Sequence, residues 1–524
     1  MKYDVLGSII VVLASLTSCV KAQCPMMMDG KTSLPRGHPR VPGVDVSRAL
    51  RFEEVERDLI EFSRALREID FEEVEKDLIQ LFHDSQERWP ADYANYGPFF
   101  VRLAWHCSGS YRTSDGRGGC DGGRQRFDPE RSWEDNTNLD KARSLLWPIK
   151  QKHGLGLSWG DLFILAGTTA IKHMGGPILG FCGGRIDDQD GFWSQELGPT
   201  TEQETLFPCD SVNGNCSKES GLGSTTVGLI YLNPEGPLGK PIPELSAPQI
   251  RDSFGRMNMN DSETVALIGG GHAFGKTHGA CPKGPGKSPK EDPSNPWPGL
   301  CDDGKGTNAY TSGFEGPWTT NPTKWDNEYF QLLWEFRDEW TVKIGQGGKH
   351  QWYVPKNNPV APSADPKSNN TQDTMMMTSD VSLLHDESYR SFVEAWAKDS
   401  ASFDDAFAHA WYKLTSRDMG PVTRCIGPSV PSAQPWQNPL PPTPSKLANF
   451  DDVKRDLRKV IEKDVKDIGA ILVRLAWSCS STYRQTDFLG GCNGARIRHS
   501  PEKDFPSNKG LDRALKMIEP MIES

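Results

Sequence analysis

VRLAWHCSGSYRTSDGRGGCDGGRQRFDPE at residues 101–130 and VRLAWSCSSTYRQTDFLGGCNGARIRHSPE at residues 473–502 align without a gap and agree at 18 of 30 positions. A match of that length marks a duplication, so the chain carries one unit twice. Within the first copy Arg102, Trp105 and His106 fall at i, i+3 and i+4, which places them on one face of a helix. A lone His at a helix boundary is more often half-buried structure than chemistry. The second copy acts as an internal control: it keeps Arg474 and Trp477 but has Ser478 where His106 stands. A side chain that the duplicated fold can lose is there for chemistry.

Outward from that stretch, apolar residues recur at helical spacing. FEEVERDLIEF at 52–62, FEEVEKDLIQLF at 71–82 and FDDVKRDLRKVI from Phe450 are relatives of one another, and each reads as an amphipathic helix. Further helical runs are expected at Leu139–Ile149, Trp159–Ile171, Ser262–Ile268, Tyr329–Trp340 and Tyr389–Leu414. Strand alternation is scarce, and loops rich in Gly and Pro, such as ACPKGPGKSPKEDPSNPWPG, separate the helices. The fold class is mostly α. GPSVPSAQPWQNPLPPTPSKL has the Pro density of an extended spacer between the two copies.

With 524 residues, 36% apolar and 25% charged, the chain is globular in composition, not collagenous, coiled-coil or disordered. A net charge of −11 without a long basic run offers nucleic acid no footprint. The first residues, MKYDVLGSIIVVLASLTSCVKAQC, read as a signal peptide cut near Ala22, which implies a secreted, extracellular or periplasmic protein. Leu16-Thr17-Ser18-Cys19 also resembles a lipoprotein box, the alternative being a lipid anchor at Cys19. The apolar run is too short for a membrane span. The Pro- and Met-rich stretch after it is a flexible lead-in.

Of 12 cysteines, 11 remain after cleavage, so at least one thiol is free or intermolecular. Cys107 and Cys120 recur as Cys479 and Cys492 at the same separation. They are either inherited small core residues or, in an exported chain, disulfides. Asn215 and Asn369 open glycosylation sequons.

His272 follows three glycines in ALIGGGHAFGKTHG. Glycines let another surface come close, and a His beside such an approach can ligate a planar macrocycle, provided its second ring nitrogen has an acceptor. A glycine-rich turn with an incidental His is the other reading of that element alone. VRLAWH, SWEDN at 132–136, GLIYLNPEGP at 228–237, GGGHAFGKTHG at 269–279, GPWTTNPTKWDN at 316–327 and RDMGPVTR at 417–424 occur in this order. Together they resemble the bifunctional catalase-peroxidases, relatives of the cytochrome c and ascorbate peroxidases, over nearly everything from residue 50 onward.

That resemblance implies a haem-peroxidase fold holding haem b and its iron. His272 is then the proximal ligand, with Asp380 accepting from its Nδ1 and Trp318 packed beside both. On the distal side His106 is the acid and base, Arg102 the fixed charge on the breaking O–O bond, and Asn136 the acceptor that sets the His106 tautomer. Lys276 and His278 are placed near a haem propionate. Trp105, Tyr231 and Met257 match a covalent Trp-Tyr-Met adduct particular to this family, Arg424 matches a mobile arginine that contacts its tyrosinate, and Asp135 matches an acid in the access channel.

The domains are then 1–22 signal, 23–49 lead-in, 50–427 haem domain, 428–447 linker, and 448–524 a truncated, haem-less repeat that is a partial copy of the family's second domain. The implied function is decomposition of hydrogen peroxide to water and oxygen, with oxidation of small organic electron donors, in defence against oxidative stress. Two other readings share these motifs: a peroxidase with little catalase activity, and a non-enzymatic product. No nucleic-acid partner and no membrane span are expected; a homodimer is compatible with the sequence.

Overall fold

The computed structural model describes residues 69–191, 233–442, 445, 448–463 and 468–523. The stretches expected to be a signal, a lead-in and a helix at 52–62, together with Asn215 and Tyr231, lie outside the described residues. The architecture is helical. α1 (Phe71–His83) starts under Asp70, whose carboxylate accepts from the amides of Glu72 and Glu73, and buries Phe71, Val74, Leu78 and Phe82 as the spacing predicts. α2 (Gly97–Ser108), which carries Arg102, Trp105 and His106, is followed by α3 (Leu139–His153) and α4 (Trp159–His173). α2 and α4 lie very close: a Cβ at Gly167 of α4 would stand 2.4 Å from the Cβ of Ala104. Only glycine permits that approach.

α5 (Ala247–Arg256) and α6 (Asp261–His272) follow. α6 opens with a reciprocal capping box between Asn260 and Glu263. α7 (Glu328–Glu335) stops short of the expected Trp340. α8 (Thr378–Val381) is a single turn holding Asp380. The expected run 389–414 is two helices, α9 (Glu387–Lys398) and α10 (Ser400–Ser416), broken at Asp399, whose side chain caps the second. Among the described residues strand is confined to three antiparallel ribbons: β1 (Lys276–Thr277) with β2 (Gly316–Pro317), β3 (Thr341–Ile344) with β4 (His350–Tyr353), and β5 (Val360–Pro362) with β6 (Thr371–Asp373).

The repeat contributes α11 (Phe450–Lys463), α12 (Ile468–Ser480) and α13 (Asp512–Glu523) around a small core of Ile468, Leu475, Cys479, Ile497, Leu511 and Ala514. Val473 and Trp477 are 71% and 72% exposed, whereas Val101, the counterpart of Val473, is 5% exposed. The repeat meets the main body instead through its 482–491 loop. The Pro-rich spacer is not fully free: Ser429 accepts from the amide of Phe181, and Trp436 packs against Tyr412.

Cys107–Cys120 and Cys479–Cys492 are disulfides, as are Cys182–Cys425 and Cys281–Cys301. Their Cα–Cα separations of 4.7 to 5.6 Å lie in the usual range. Cys107 and Cys120 are thus bridged, closing the choice left open above. Among the described residues no helix is long and apolar enough to cross a membrane.

Candidate active site

One cleft receives residues from α2, α5, α6, β1, the turn of α8 and α10. His106 and His272 both line it, each at the C-terminal end of its helix. Their ring nitrogens are assigned by what the surroundings offer. Nδ1 of His106 lies 2.9 Å from Oδ1 of Asn136, an atom that can only accept, because the Asn136 amide nitrogen donates to the carbonyl of Glu130 at 2.7 Å. His106 therefore carries its proton on Nδ1 and leaves Nε2 as a free base. Burial, then the positive charge of Arg102, holds its pKa well below 6.5 against the opposing Asn136 hydrogen bond. The imidazole is neutral near neutral pH.

Arg102 donates to the carbonyls of Asp135 (2.6 Å) and Thr137 (2.9 Å). Burial lowers it to about 10, with Asp135 opposing, so it remains a cation. The repeat reproduces this scaffold: Arg474 donates to the carbonyls of Ser507 and Lys509, and Asn508 donates to that of Glu502, the positions that align with Asp135, Thr137 and Glu130. Loop and arginine are architecture common to both copies; the imidazole belongs to the first alone. Asp135 lines the cleft, and burial pushes its carboxyl up to about 6, with Glu134 adding and Arg102 opposing. Its Oδ2 finds no protein partner.

Elsewhere in the same cleft, Nδ1 of His272 lies 2.8 Å from Oδ1 of Asp380, which also accepts from the Tyr329 hydroxyl at 2.8 Å. Oδ2 accepts from Trp318 Nε1 at 3.0 Å and from the Met377 amide at 2.8 Å. Burial alone would raise the pKa of this fully buried carboxyl, but the His272 imidazole beside it and these hydrogen bonds hold it below the ordinary value. The Trp318 indole stacks on the imidazole, with centroids 4.1 Å apart and planes 9° from parallel. Nε2 of His272 is left for a ligand in the cleft. Tyr329 was not foreseen from the sequence; it lies 51 residues from Asp380 and gives no motif signal.

The glycines before His272 have separate tasks. A Cβ at Gly269 would stand 2.2 Å from the Phe330 ring and one at Gly270 2.1 Å from that of Phe407, so both serve packing. A Cβ at Gly271 would meet no protein atom, and Gly271 lines the cleft. At the edge, Lys276 pairs with Glu315, which also accepts from the amides of Gly279 and Ala280 and from Gln372. Its charge is thus met within the protein. His278 gives Nε2 to Asp92 at 2.7 Å and keeps a buried Nδ1 without a protein partner at the cleft wall.

Trp105 lines the cleft with its ring 5.5 Å from Phe254; Met257, buried just beyond Phe254, does not line it. Tyr231 lies outside the described residues. Arg424 is not at the cleft either: its Cζ lies 3.3 Å from the centroid of Phe488, and Nη1 donates to the Met419 carbonyl at 3.2 Å.

A mainly apolar cleft, an imidazole with a free Nε2, open space at Gly271 and an unpartnered imidazole nitrogen in the cleft wall fit an iron porphyrin. The family model described as "Peroxidase" matches residues 82–399 and 453–524. The catalase-peroxidase of Natronomonas pharaonis is 44% identical over 495 residues, 91% of this chain and 68% of that protein. The chain belongs to the catalase-peroxidase family.

The catalase-peroxidase of Halobacterium salinarum is 46% identical over 470 residues, 88% of this chain and 64% of its own length. That of Salinibacter ruber is 45% identical over 458 residues, 86% of this chain and 62% of its own. The chain spans a little under two thirds of the length of these two relatives. Membership implies haem b with its iron as the cofactor of this catalase-peroxidase family member, and His272 is the residue fitted to hold the metal.

Proposed function

We propose that this chain is a haem-dependent catalase-peroxidase, converting hydrogen peroxide to water and oxygen and oxidising small organic donors with it. The observation that carries the reading is the pair of imidazoles facing one cleft, each locked at Nδ1 by a different acceptor. When bound, haem supplies the iron that binds peroxide and takes up its oxidising equivalents.

The chain's own residues do the rest. Nε2 of His106, neutral and unprotonated, takes the proton from peroxide and returns it to the departing oxygen. Arg102, held in place by two loop carbonyls, presents fixed positive charge to the oxygen that gains electrons, with no reorganisation at the moment of bond breaking. Asp380 makes His272 a more basic ligand by accepting from its Nδ1, and Trp318 and Tyr329 keep that carboxylate in place. Asp135, which lines the cleft with His106, is assigned to the approach of peroxide, and His278, with its unpartnered Nδ1, is the residue available to a propionate.

The oxygen-releasing half is assigned to a Trp105-Tyr231-Met257 adduct. What supports it is that the Trp105 ring lies against Phe254, whose carbonyl accepts from the amide of the buried Met257. Mass spectrometry of tryptic peptides tests it: a linked species containing all three residues is expected after peroxide treatment of the haem-loaded protein. Three unlinked peptides would favour a peroxidase with little catalase activity. We further propose that the protein works in an oxidising compartment, since four disulfides would not persist in a reducing one. N-terminal sequencing of the exported protein should find a start just after Ala22.

A further inference from the structure

The 482–491 loop of the repeat is strained at one residue. Phe488 has φ +60°, in the left-handed region that is costly for any residue with a Cβ. The first copy shows what that turn ordinarily uses: the aligned position is Gly116, φ +69°. The two loops are otherwise built alike. Arg112 pairs with Asp115 in one and Arg484 with Asp487 in the other, and they dock through Tyr111 to Asp487, Thr486 to the Asp115 carbonyl, and Arg484 to the carbonyls of Thr113 and Ser114. None of these contacts requires an aromatic ring at 488.

The ring does one thing the glycine could not. It covers the guanidinium of Arg424, Cζ to centroid 3.3 Å, while Nη1 is held by the Met419 carbonyl and lies 3.9 Å from Oδ2 of Asp121. Asp121 follows Cys120, which is bridged to Cys107, the neighbour of His106. Strain kept at a bulky residue has to be offset by its surroundings, and here the offset is this contact.

We infer that Phe488 is a positioning residue, which fixes Arg424 between the C-terminal repeat and Asp121 and through it steadies the loop behind His106. The inference deepens the proposed function and rests on that reading for its link to peroxide chemistry. It does not rest on it for the geometry.

The test uses the full haem-loaded chain and three proteins: wild type, Phe488→Gly and Phe488→Tyr. Glycine suits the turn, as Gly116 does, so this variant removes the ring without adding strain. Phenylglyoxal modification is followed by mass spectrometry at Arg424, with Arg417, packed against Tyr111 and Trp436, as the internal reference. Loss of a cation–π contact shifts a conformational equilibrium about two- to fivefold, so Arg424 in Phe488→Gly should be modified faster by about that factor. Arg417 should not change, and Phe488→Tyr should behave as wild type.

Oxygen release by Phe488→Gly should show kcat lowered about two- to fivefold with KM for peroxide unmoved. Equal modification of Arg424 in wild type and Phe488→Gly overturns the positioning role. Faster modification at unchanged kcat overturns its link to catalysis. If even wild type releases no oxygen, the reading of the cleft fails, while the modification rates still decide whether Phe488 holds Arg424.

Discussion

Asp380→Asn probes the hydrogen-bonded wall behind His272 at its centre. Four donors converge on the two oxygens of this fully buried carboxylate: His272 and Tyr329 on Oδ1, Trp318 and the Met377 amide on Oδ2. An amide of the same shape has one oxygen, so its NH2 must face two of those donors. If the NH2 takes the place of Oδ2, two hydrogen bonds to a charged acceptor are lost, at about 1.5–3 kcal/mol each. The expected destabilisation is then about 3–6 kcal/mol, a large part of the ~5–15 kcal/mol that holds a domain folded. If it takes the place of Oδ1, His272 must present Nδ1 as an acceptor and carry its proton on Nε2, the atom the metal needs. Haem affinity should then fall about 10–100-fold. Denaturant unfolding of the haem-free protein reads the first loss, and haem titration at the Soret band reads the second. A variant with wild-type unfolding midpoint and wild-type haem affinity would refute the placement of Asp380 as the keystone of this wall.

The glycines before His272 separate packing from ligand space. Gly270→Ala should destabilise the haem-free protein by about 1–3 kcal/mol through the Phe407 ring, whereas Gly271→Ala should leave it as stable or about 0.5–1 kcal/mol more so and weaken haem binding, both read by thermal unfolding and titration. His106→Gln should lower the rate of peroxide cleavage about 10²–10⁴-fold in stopped-flow measurements with little change in fold. Because the His106 pKa lies below its unfolded value of 6.5, the unfolded chain binds more protons in the window below pH 6.5. His106 thus withdraws stability as pH falls through that window, and the acid limb of the cleavage rate should also lie below 6.5; a His106→Gln variant should show neither. Cys107→Ser with Cys120→Ser, opening a loop of separation 13, should cost about 2–4 kcal/mol in unfolding experiments.

Much of this site could be read from residue order. Helical spacing in α1 marks the face that turns inward, and Ser478 in the second copy by itself separates His106 from its scaffold. The structure of the repeat sharpens the point, since Arg474 and Asn508 hold carbonyls that align with those held by Arg102 and Asn136, without an imidazole to serve. What stayed hidden depends on contacts distant in sequence. Tyr329 reaches Asp380 from another helix, Cys182 meets Cys425 across 243 residues, and Phe488 of the repeat covers the guanidinium of Arg424. The three glycines looked alike in sequence, yet two face aromatic rings and one faces the cleft. Lys276, expected near a haem propionate, does line the cleft, but its pairing with Glu315 has no signal in the sequence.

Oxygen evolution from hydrogen peroxide by the haem-loaded chain, measured beside its Tyr231→Phe variant, tests the central claim most directly. The account predicts that wild type releases oxygen and that the variant largely loses this activity while still oxidising a small organic donor. Equal oxygen release by both proteins, or none from wild type, would contradict it.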